Sequence, residues 1–141
     1  MGTSADAPYC DVIYKLNEIT DTNGDFLPTM KLSEGKVTYP GRKQTYRVTH
    51  KNGIYKKDII GLEDEEVEGA PLLTKIMEKG KVIYQEPTLK EIRDFTAENL
   101  TRLPPAVTRL ARHAVYPVSI SPKLKGLIHR VSKNIREKIK E

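Results

Sequence analysis

The stretch Tyr84-Gln85-Glu86-Pro87-Thr88-Leu89-Lys90-Glu91-Ile92 decides the predicted fold, because signals for strands and turns give way to signals for helices at Pro87. Upstream of this proline, short runs of β-forming residues alternate with turn signals. Downstream, Thr88 and Glu91 have the spacing of a capping box, which satisfies two orphan backbone donors at the start of a helix. The sequence therefore predicts strands before Pro87 and helices after it.

The first part of the chain predicts hairpins. Asn23-Gly24 and Lys51-Asn52-Gly53 are strong turn signals, because asparagine and glycine tolerate positive φ. Between such signals lie runs rich in Val, Ile, Tyr and Thr, which favour extended backbone. The predicted strands cover residues 12–19, 26–32, 37–39, 44–49, 54–55 and 58–62, with a further hairpin over 72–84.

The second part predicts two or three helices. One follows Thr88 and is ended by Pro104-Pro105, because proline removes a donor and clashes with the preceding turn. A short helix is predicted over Ala106–Arg112. Ser121-Pro122 predicts the start of the last helix, whose apolar residues recur at helical spacing from Leu124 to Ile139. We therefore predict an α+β fold, an antiparallel sheet of hairpins in residues 12–85 with helices in 88–140 packed on it.

Charge and composition exclude several classes of protein. The chain has 141 residues and a net charge of +5. The last 21 residues carry seven Lys and Arg against two Glu, so the whole net charge belongs to one helix and does not indicate a nucleic-acid surface. Cys10 is the single cysteine, so no internal disulfide forms, and a reducing, cytoplasmic location is expected. No apolar run reaches membrane-spanning length, and the N-terminus lacks the pattern of a signal peptide.

No conventional catalytic or metal-binding array is visible in the sequence. The three histidines, His50, His113 and His129, are scattered, so neither a catalytic residue nor a metal site is predicted. Asp21–Asp25 is faintly similar to a calcium loop, but Leu32 stands where that loop needs glutamate, so a plain Asn-Gly turn is favoured.

Two short segments could contact phosphate, although simpler interpretations are favoured for both. Gly2-Thr3-Ser4 could hold phosphate through backbone amides and hydroxyl groups, or be a frayed end. Pro40-Gly41-Arg42-Lys43 places two cations on a tight turn, which is either a solvated hairpin tip or a site for an acidic neighbour.

Several segments resemble nicotinate phosphoribosyltransferase, in the order expected for the C-terminal end of that family. The most specific is Met30-Lys31-Leu32-Ser33-Glu34-Gly35-Lys36-Val37-Thr38, running on to Pro40-Gly41-Arg42-Lys43-Gln44. Thr3–Leu16 resembles the stretch that leaves the family's catalytic barrel. Pro87–Ile92 and Tyr116-Pro117-Val118 resemble its C-terminal end. The resemblance covers nearly the whole chain.

The resemblance implies an enzyme of NAD biosynthesis, of which this chain is a C-terminal fragment. The family joins nicotinate to phosphoribosyl pyrophosphate, coupled to hydrolysis of ATP with Mg²⁺, on an irregular α/β barrel. Its Gly-x-Gly-Thr phosphate turn lies just before the segment matching Thr3-Ser4-Ala5-Asp6, so this chain starts after that turn. We therefore expect residues 1–11 to be a remnant of the barrel exit and residues 12–141 to be an accessory domain.

The resemblance also implies specific roles and partners. The fragment alone is expected to be inactive, with no catalytic residue and no bound cofactor. Thr3 and Ser4 are candidates to lie near phosphate, and Lys31, Arg42 and Lys43 are candidates to contact the barrel or a second subunit. Two alternatives remain open. The chain could be a stand-alone binding module that uses its sheet edge or basic helix, or a regulatory subunit that complements a separately encoded barrel.

Overall fold

The computed structural model describes residues 14–112 and 114–139, which contain eight strands and two helices. The elements are β1 (Glu18–Thr20), β2 (Phe26–Pro28), β3 (Lys43–Thr49), β4 (Tyr55–Leu62), β5 (Ala70–Pro71), β6 (Met77–Glu78), β7 (Lys81–Val82), α1 (Leu89–Thr101), β8 (Val118–Ile120) and α2 (Pro122–Lys138). The α+β class is thereby confirmed. None of the described helices has the length and apolar character needed to cross a membrane.

The described residues form two compact units. The first contains the described residues up to Arg42 and those from Ile128 onward, and the second runs from Lys43 to Leu127. Within the first, β1 and β2 form an antiparallel hairpin around the predicted Asn23-Gly24 turn. The Asp21 side chain accepts hydrogen bonds from the backbone N–H groups of Asn23 and Asp25, so this loop is an Asx-type turn.

The second unit is built on a four-stranded sheet with the order β5-β3-β4-β8. β3 is antiparallel to β4 and β5, whereas β8 is parallel to β4. Tyr46, Val48 and Tyr55 on this sheet are buried. β6 and β7 form a separate two-stranded hairpin around Lys79-Gly80. The strands therefore form three sheets, where the sequence predicted one.

Both long helices begin where the sequence predicted. The Thr88 hydroxyl accepts a hydrogen bond from the Glu91 backbone N–H, and the Glu91 carboxylate accepts one from the Thr88 N–H, which completes the capping box of α1. The Ser121 hydroxyl accepts a hydrogen bond from the Leu124 N–H at 3.1 Å, which caps α2. Leu124, Leu127 and Val131 of α2 are buried, as the apolar periodicity predicted.

Two predicted elements, a helix and a strand, are absent from the described residues. Residues 106–112 form turns and bends, because Pro104 and Pro105 block an early helical turn and Arg112 has a φ of 52°. Residues 37–39 form no strand, since the Thr38 side chain and backbone instead bond to the Lys31 backbone across a turn. Helix α1 meets the sheet through the hydrogen bond between Tyr55 and Asn99, although none of its own residues is buried.

Candidate functional site

A groove of about 750 Å³ is present in the second unit. Strands β3, β4 and β5 supply Arg47, Tyr55 and Pro71, and α1 supplies Phe95 and Asn99. Leu72, Leu100, Arg102 and Leu103 also line the groove. Its wall combines apolar side chains with two arginines, which is the composition expected of a surface that recognises another molecule.

Arg47, which lines this groove, forms an ion pair with Asp58. The Arg47 guanidinium donates two hydrogen bonds to the Asp58 carboxylate, at 2.9 and 2.8 Å. Tyr116 donates a third from its hydroxyl at 3.1 Å. The antiparallel register of β3 and β4 places Arg47 and Asp58 directly opposite each other. Bidentate geometry of this kind fixes both side chains.

The protonation states of this cluster follow from the same contacts. The hydrogen bonds that Arg47 donates to Asp58 raise the pKa of the Arg47 guanidinium above its ordinary value, so the arginine stays charged. Burial raises the pKa of the Tyr116 hydroxyl, and the neighbouring Asp58 charge raises it further. Tyr116 therefore stays protonated and acts as a donor. Because Asp58 already accepts three side-chain hydrogen bonds, it is suited to holding the wall together more than to taking a proton from a substrate.

Tyr55 joins the sheet to α1. The Arg47 and Arg102 guanidinium carbons lie 4.5 and 4.6 Å from the centroid of the Tyr55 ring, within the range of cation–π contact. The Tyr55 hydroxyl donates to the Asn99 side chain. Its backbone N–H donates to the Arg102 carbonyl oxygen at 2.8 Å, and the Arg102 side chain donates to the Gly53 carbonyl oxygen at 3.0 Å. One tyrosine therefore positions the C-terminal end of the helix.

A second buried polar cluster surrounds Glu65. Its carboxylate accepts hydrogen bonds from the Ser121 hydroxyl and the Leu62 backbone N–H. Its backbone carbonyl oxygen accepts a bond from the Tyr46 hydroxyl at 2.9 Å. A carboxylate at the first turn of α2 also faces the positive end of the helix dipole. This cluster connects the loop after β4 to the start of α2, and this connection explains why the Glu65 carboxylate is buried.

The three cations predicted as contact residues lie in different local surroundings. Arg42 forms a salt bridge to Glu18 at 2.8 Å, and its guanidinium carbon lies 4.1 Å from the centroid of the Phe26 ring. Lys31 is exposed, and its backbone N–H donates to Thr38. Lys43 is half-buried at the start of β3. Thr3 and Ser4 lie outside the described residues.

Neither of the two described histidines lines the groove. His50 lies next to the β3–β4 turn and is exposed, as is His129 on α2. His113 lies outside the described residues. Within residues 14–112 and 114–139, no group of three or more His, Cys, Asp or Glu side chains could hold a metal ion.

The pairing of Arg47 with Asp58 was not predicted from the sequence, although the sequence contains one signal for it. Arg47 and Asp58 flank the predicted Lys51-Asn52-Gly53 turn, and opposite charges on paired strands stabilise a hairpin. Counting outward from the turn in a regular hairpin pairs Arg47 with Lys57. A register shift between Val48 and Thr49 moves its partner to Asp58, and such a bulge has no clear signature in sequence.

Comparison with known proteins agrees with the resemblance seen in the sequence. Residues 66–128 match the family model described as nicotinate phosphoribosyltransferase C-terminal domain. The chain is 38% identical over 128 residues to nicotinate phosphoribosyltransferase pncB2 of Mycobacterium tuberculosis, covering 89% of this chain and 26% of that protein. It is 29% identical over 170 residues to nicotinate phosphoribosyltransferase of Bacillus subtilis, covering 99% of this chain and 34% of that protein.

The fold agrees with a solved structure of the same group. The crystal structure of human nicotinic acid phosphoribosyltransferase superposes with a TM-score of 0.63 at 24% identity, covering 77% of this chain and 27% of that one. This likeness concerns the fold alone. The chain spans about a quarter to a third of the length of these relatives. The chain is therefore similar over most of its length to nicotinate phosphoribosyltransferases, and its residues 66–128 match the C-terminal domain of that family.

Proposed function

We propose that this chain is the C-terminal part of an enzyme that converts nicotinate, phosphoribosyl pyrophosphate and ATP to nicotinate mononucleotide in NAD biosynthesis. One observation carries the proposal, namely the 38% identity to the Mycobacterium tuberculosis relative over 89% of this chain. Identity at this level along most of a chain supports a common role for the matched region, because the same side chains are then available for the same contacts.

In the proposed division of labour this chain is a structural platform and is inactive alone. Catalysis and the binding of nicotinate, ATP and Mg²⁺ belong to the barrel, outside this chain. The pairing of Arg47 with Asp58 and of Asp58 with Tyr116 supports this division, since the strongest charges at the groove already have partners. The proposal includes a second subunit as a partner and a cytoplasmic location.

The proposal also assigns two jobs to particular residues. Residues 1–11 continue the chain from the barrel, so Thr3 and Ser4 lie near the phosphate turn, and residues 12–141 form the accessory domain. Lys31, Arg42 and Lys43 contact the barrel or the second subunit. For Arg42 the salt bridge to Glu18 and the contact with Phe26 support a fixed side chain, which is what a contact residue requires.

The first test compares the complete enzyme that carries this sequence with the 141-residue chain. Each is incubated with labelled nicotinate, phosphoribosyl pyrophosphate, ATP and Mg²⁺, and nicotinate mononucleotide is quantified by chromatography. We expect product from the complete enzyme and none from the chain alone. Product from the isolated chain, or none from the complete enzyme, would contradict the proposal.

A second test concerns the assigned residues within the complete enzyme. Thr3→Val with Ser4→Ala is expected to raise the Michaelis constant for phosphoribosyl pyrophosphate. Arg42→Ala with Lys43→Ala is expected to weaken assembly, measured by sedimentation velocity, or to raise the same constant. Exposed Lys36→Ala serves as the control. Kinetics and assembly equal to those of the control would remove these residues from the proposal.

A further inference from the structure

The apolar side of α1 remains exposed to solvent. Leu89, Ile92, Phe95 and Leu100, here called the α1 stripe, are exposed by 81%, 45%, 68% and 57%. Their positions place all four side chains within about 140° of one another around the helix, at 100° per residue. An amphipathic helix in a globular protein normally buries this side against its own core. No residue of α1 is buried, so the described part of the chain does not cover the stripe.

The sheet nevertheless holds α1 in a definite position. Tyr55 bonds through its hydroxyl to Asn99 and through its backbone N–H to the Arg102 carbonyl oxygen. The Arg102 side chain returns a bond to Gly53. These polar links fix the C-terminal end of the helix without using the α1 stripe. The helix is therefore fixed in place with its apolar side left available.

The α1 stripe continues into the groove. Phe95 and Leu100 line it together with Leu72, which is itself 40% exposed. Further along the chain, Leu73, Ile76, Met77, Val82 and Ile83 each expose more than half of their area. Contiguous apolar exposure is uncommon on proteins that work as monomers and marks surfaces that contact another protein. Phe95 and Leu100 therefore belong both to the α1 stripe and to the lining of the groove, which makes these two features one surface.

We propose that the α1 stripe and the groove beside it are the surface on which this chain docks against the catalytic part of its own enzyme. This inference rests on the proposed function and names the partner surface for it. The relatives are three to four times longer than the matched region, so most of such an enzyme lies outside this chain. The α1 stripe and the groove residues from Ala70 to Leu103 also fall within residues 66–128, the range matched by the family's C-terminal domain.

The chemistry of the surface defines what it contacts. The side of α1 that carries the stripe also carries Thr96 and Asn99 but no charged residue between Leu89 and Leu100. Lys90 and Asp94 lie on the other side and pair with each other at 2.6 Å. The part of the partner that covers the α1 stripe is therefore apolar and uncharged, whereas the part that faces the groove meets Arg47 and Arg102.

The primary test is hydrogen–deuterium exchange of the α1 amides. It compares the complete enzyme with the 141-residue chain at equal, low concentration. We expect exchange in residues 89–101 to be at least about tenfold slower in the complete enzyme, because docking suppresses local opening of the helix. Equal exchange rates in the two samples would overturn the inference. This comparison needs no substitution and is unaffected by misfolding of variants.

Matched variants locate the contact on the helix. Phe95→Asp changes the α1 stripe, and Ala97→Asp introduces the same side chain at an exposed position on the other side. Alanine is the better helix former, so the control costs more intrinsic helix stability than the test variant. We expect Phe95→Asp to remove most of the exchange protection in the complete enzyme and Ala97→Asp to retain it. Equal effects of the two variants would overturn the inference.

Other occupants give different results. Protection of α1 that rises with the concentration of the isolated chain, together with a dimer in sedimentation velocity, would show that a second copy covers the surface, against the inference. Formation of nicotinate mononucleotide is measured on the same samples. Protected α1 in an enzyme that forms no product would support the docking surface and contradict the proposed function. Product formation by an enzyme whose α1 is unprotected would support the proposed function and contradict the docking surface.

Discussion

The sheet of β5, β3, β4 and β8 and the segment from Leu72 to Leu100 use apolar residues in opposite ways. Tyr46, Val48 and Tyr55 of the sheet are exposed by 8%, 3% and 4%, whereas many apolar residues of the segment are exposed by more than half. Both regions are rich in apolar side chains, yet only the first forms a core from its own residues. The sheet therefore buries its apolar residues against one another, whereas the segment leaves its apolar surface exposed, as the proposed docking surface requires.

The largest expected difference between the two regions concerns their ion pairs. Asp58→Asn breaks a pair in which the Asp58 and Arg47 side chains are only 11% and 24% exposed. We expect a loss of about 3 kcal/mol in the free energy of unfolding, because the guanidinium loses its charged partner. Asp94→Asn in α1 breaks the pair with Lys90, whose side chains are 64% and 85% exposed. There we expect less than about 0.5 kcal/mol, because water screens the charges.

Urea denaturation of both variants measures this comparison. Similar losses for Asp58→Asn and Asp94→Asn would show that the sheet is no better ordered than the segment.

The next effect concerns two glycines with positive φ. Gly69 has a φ of 117°, and an added Cβ would lie 2.7 Å from the Arg47 carbonyl oxygen. We expect Gly69→Ala to cost more than about 2 kcal/mol, because β3 and its neighbour must separate. Gly80, in the β6–β7 turn, has a φ of 76° and open space around it. We expect Gly80→Ala to cost about 1 kcal/mol, from backbone strain alone.

Thermal unfolding followed by circular dichroism separates the two glycine variants. If Gly80→Ala lowers the midpoint as much as Gly69→Ala, the close approach at Gly69 does not matter.

Truncation of apolar side chains tests the comparison directly. Val48→Ala removes two buried carbon atoms from the sheet, and we expect a loss of about 2 kcal/mol. Leu89→Ala removes more carbon from a side chain that is 81% exposed, and we expect a change below about 0.5 kcal/mol. Chemical denaturation of the 141-residue chain gives both values. A large loss for Leu89→Ala would mean that α1 has a core contact of its own.

The smallest effect is a pH dependence confined to α1. Hydrogen bonds from Thr88 lower the pKa of Glu91, so its ionised form is favoured in the folded helix. This contribution is present above the pKa of the unfolded chain and is lost as the pH falls through the lowered pKa of the folded chain. We expect the protection factors of the amides in the first turn of α1, which are corrected for the intrinsic exchange rate at each pH, to fall in acid, and Glu91→Gln to remove that fall. The same acid dependence in the variant would assign it to another group.

Local signals predicted the fold best. The capping box at Thr88, the Asn23-Gly24 turn and the cap at Ser121 depend on neighbours in sequence, and the structure contains all three. Helix α1 also begins where it was predicted, but the exposure of its apolar side was not predicted. Hydrophobic periodicity identifies which side of a helix is apolar, and it contains no information on which surface covers that side.

Long-range features could not be predicted. β8 is three residues long and pairs with a strand far away in sequence, so no local pattern marks it. The groove depends on the same distant contacts, since Tyr55 meets Asn99 and Asp58 meets Tyr116 only after folding. The resemblance to a known family could be recognised beforehand, because it depends on the amino-acid sequence and not on contacts formed after folding. The roles of Thr3, Ser4, Lys31, Arg42 and Lys43 stay predictions.

The parallel pairing of β8 with β4 has a consequence for the order of folding. β3 and β4 are joined by a tight turn, so their pairing needs closure of only a short loop, which forms quickly. Pairing of Asp58 with Val118 must instead close a loop that contains β5, β6, β7 and α1. Closing so long a loop costs more chain entropy before any contact compensates. We expect the β3–β4 hairpin to belong to the folding nucleus and β8 to join after the rate-limiting step.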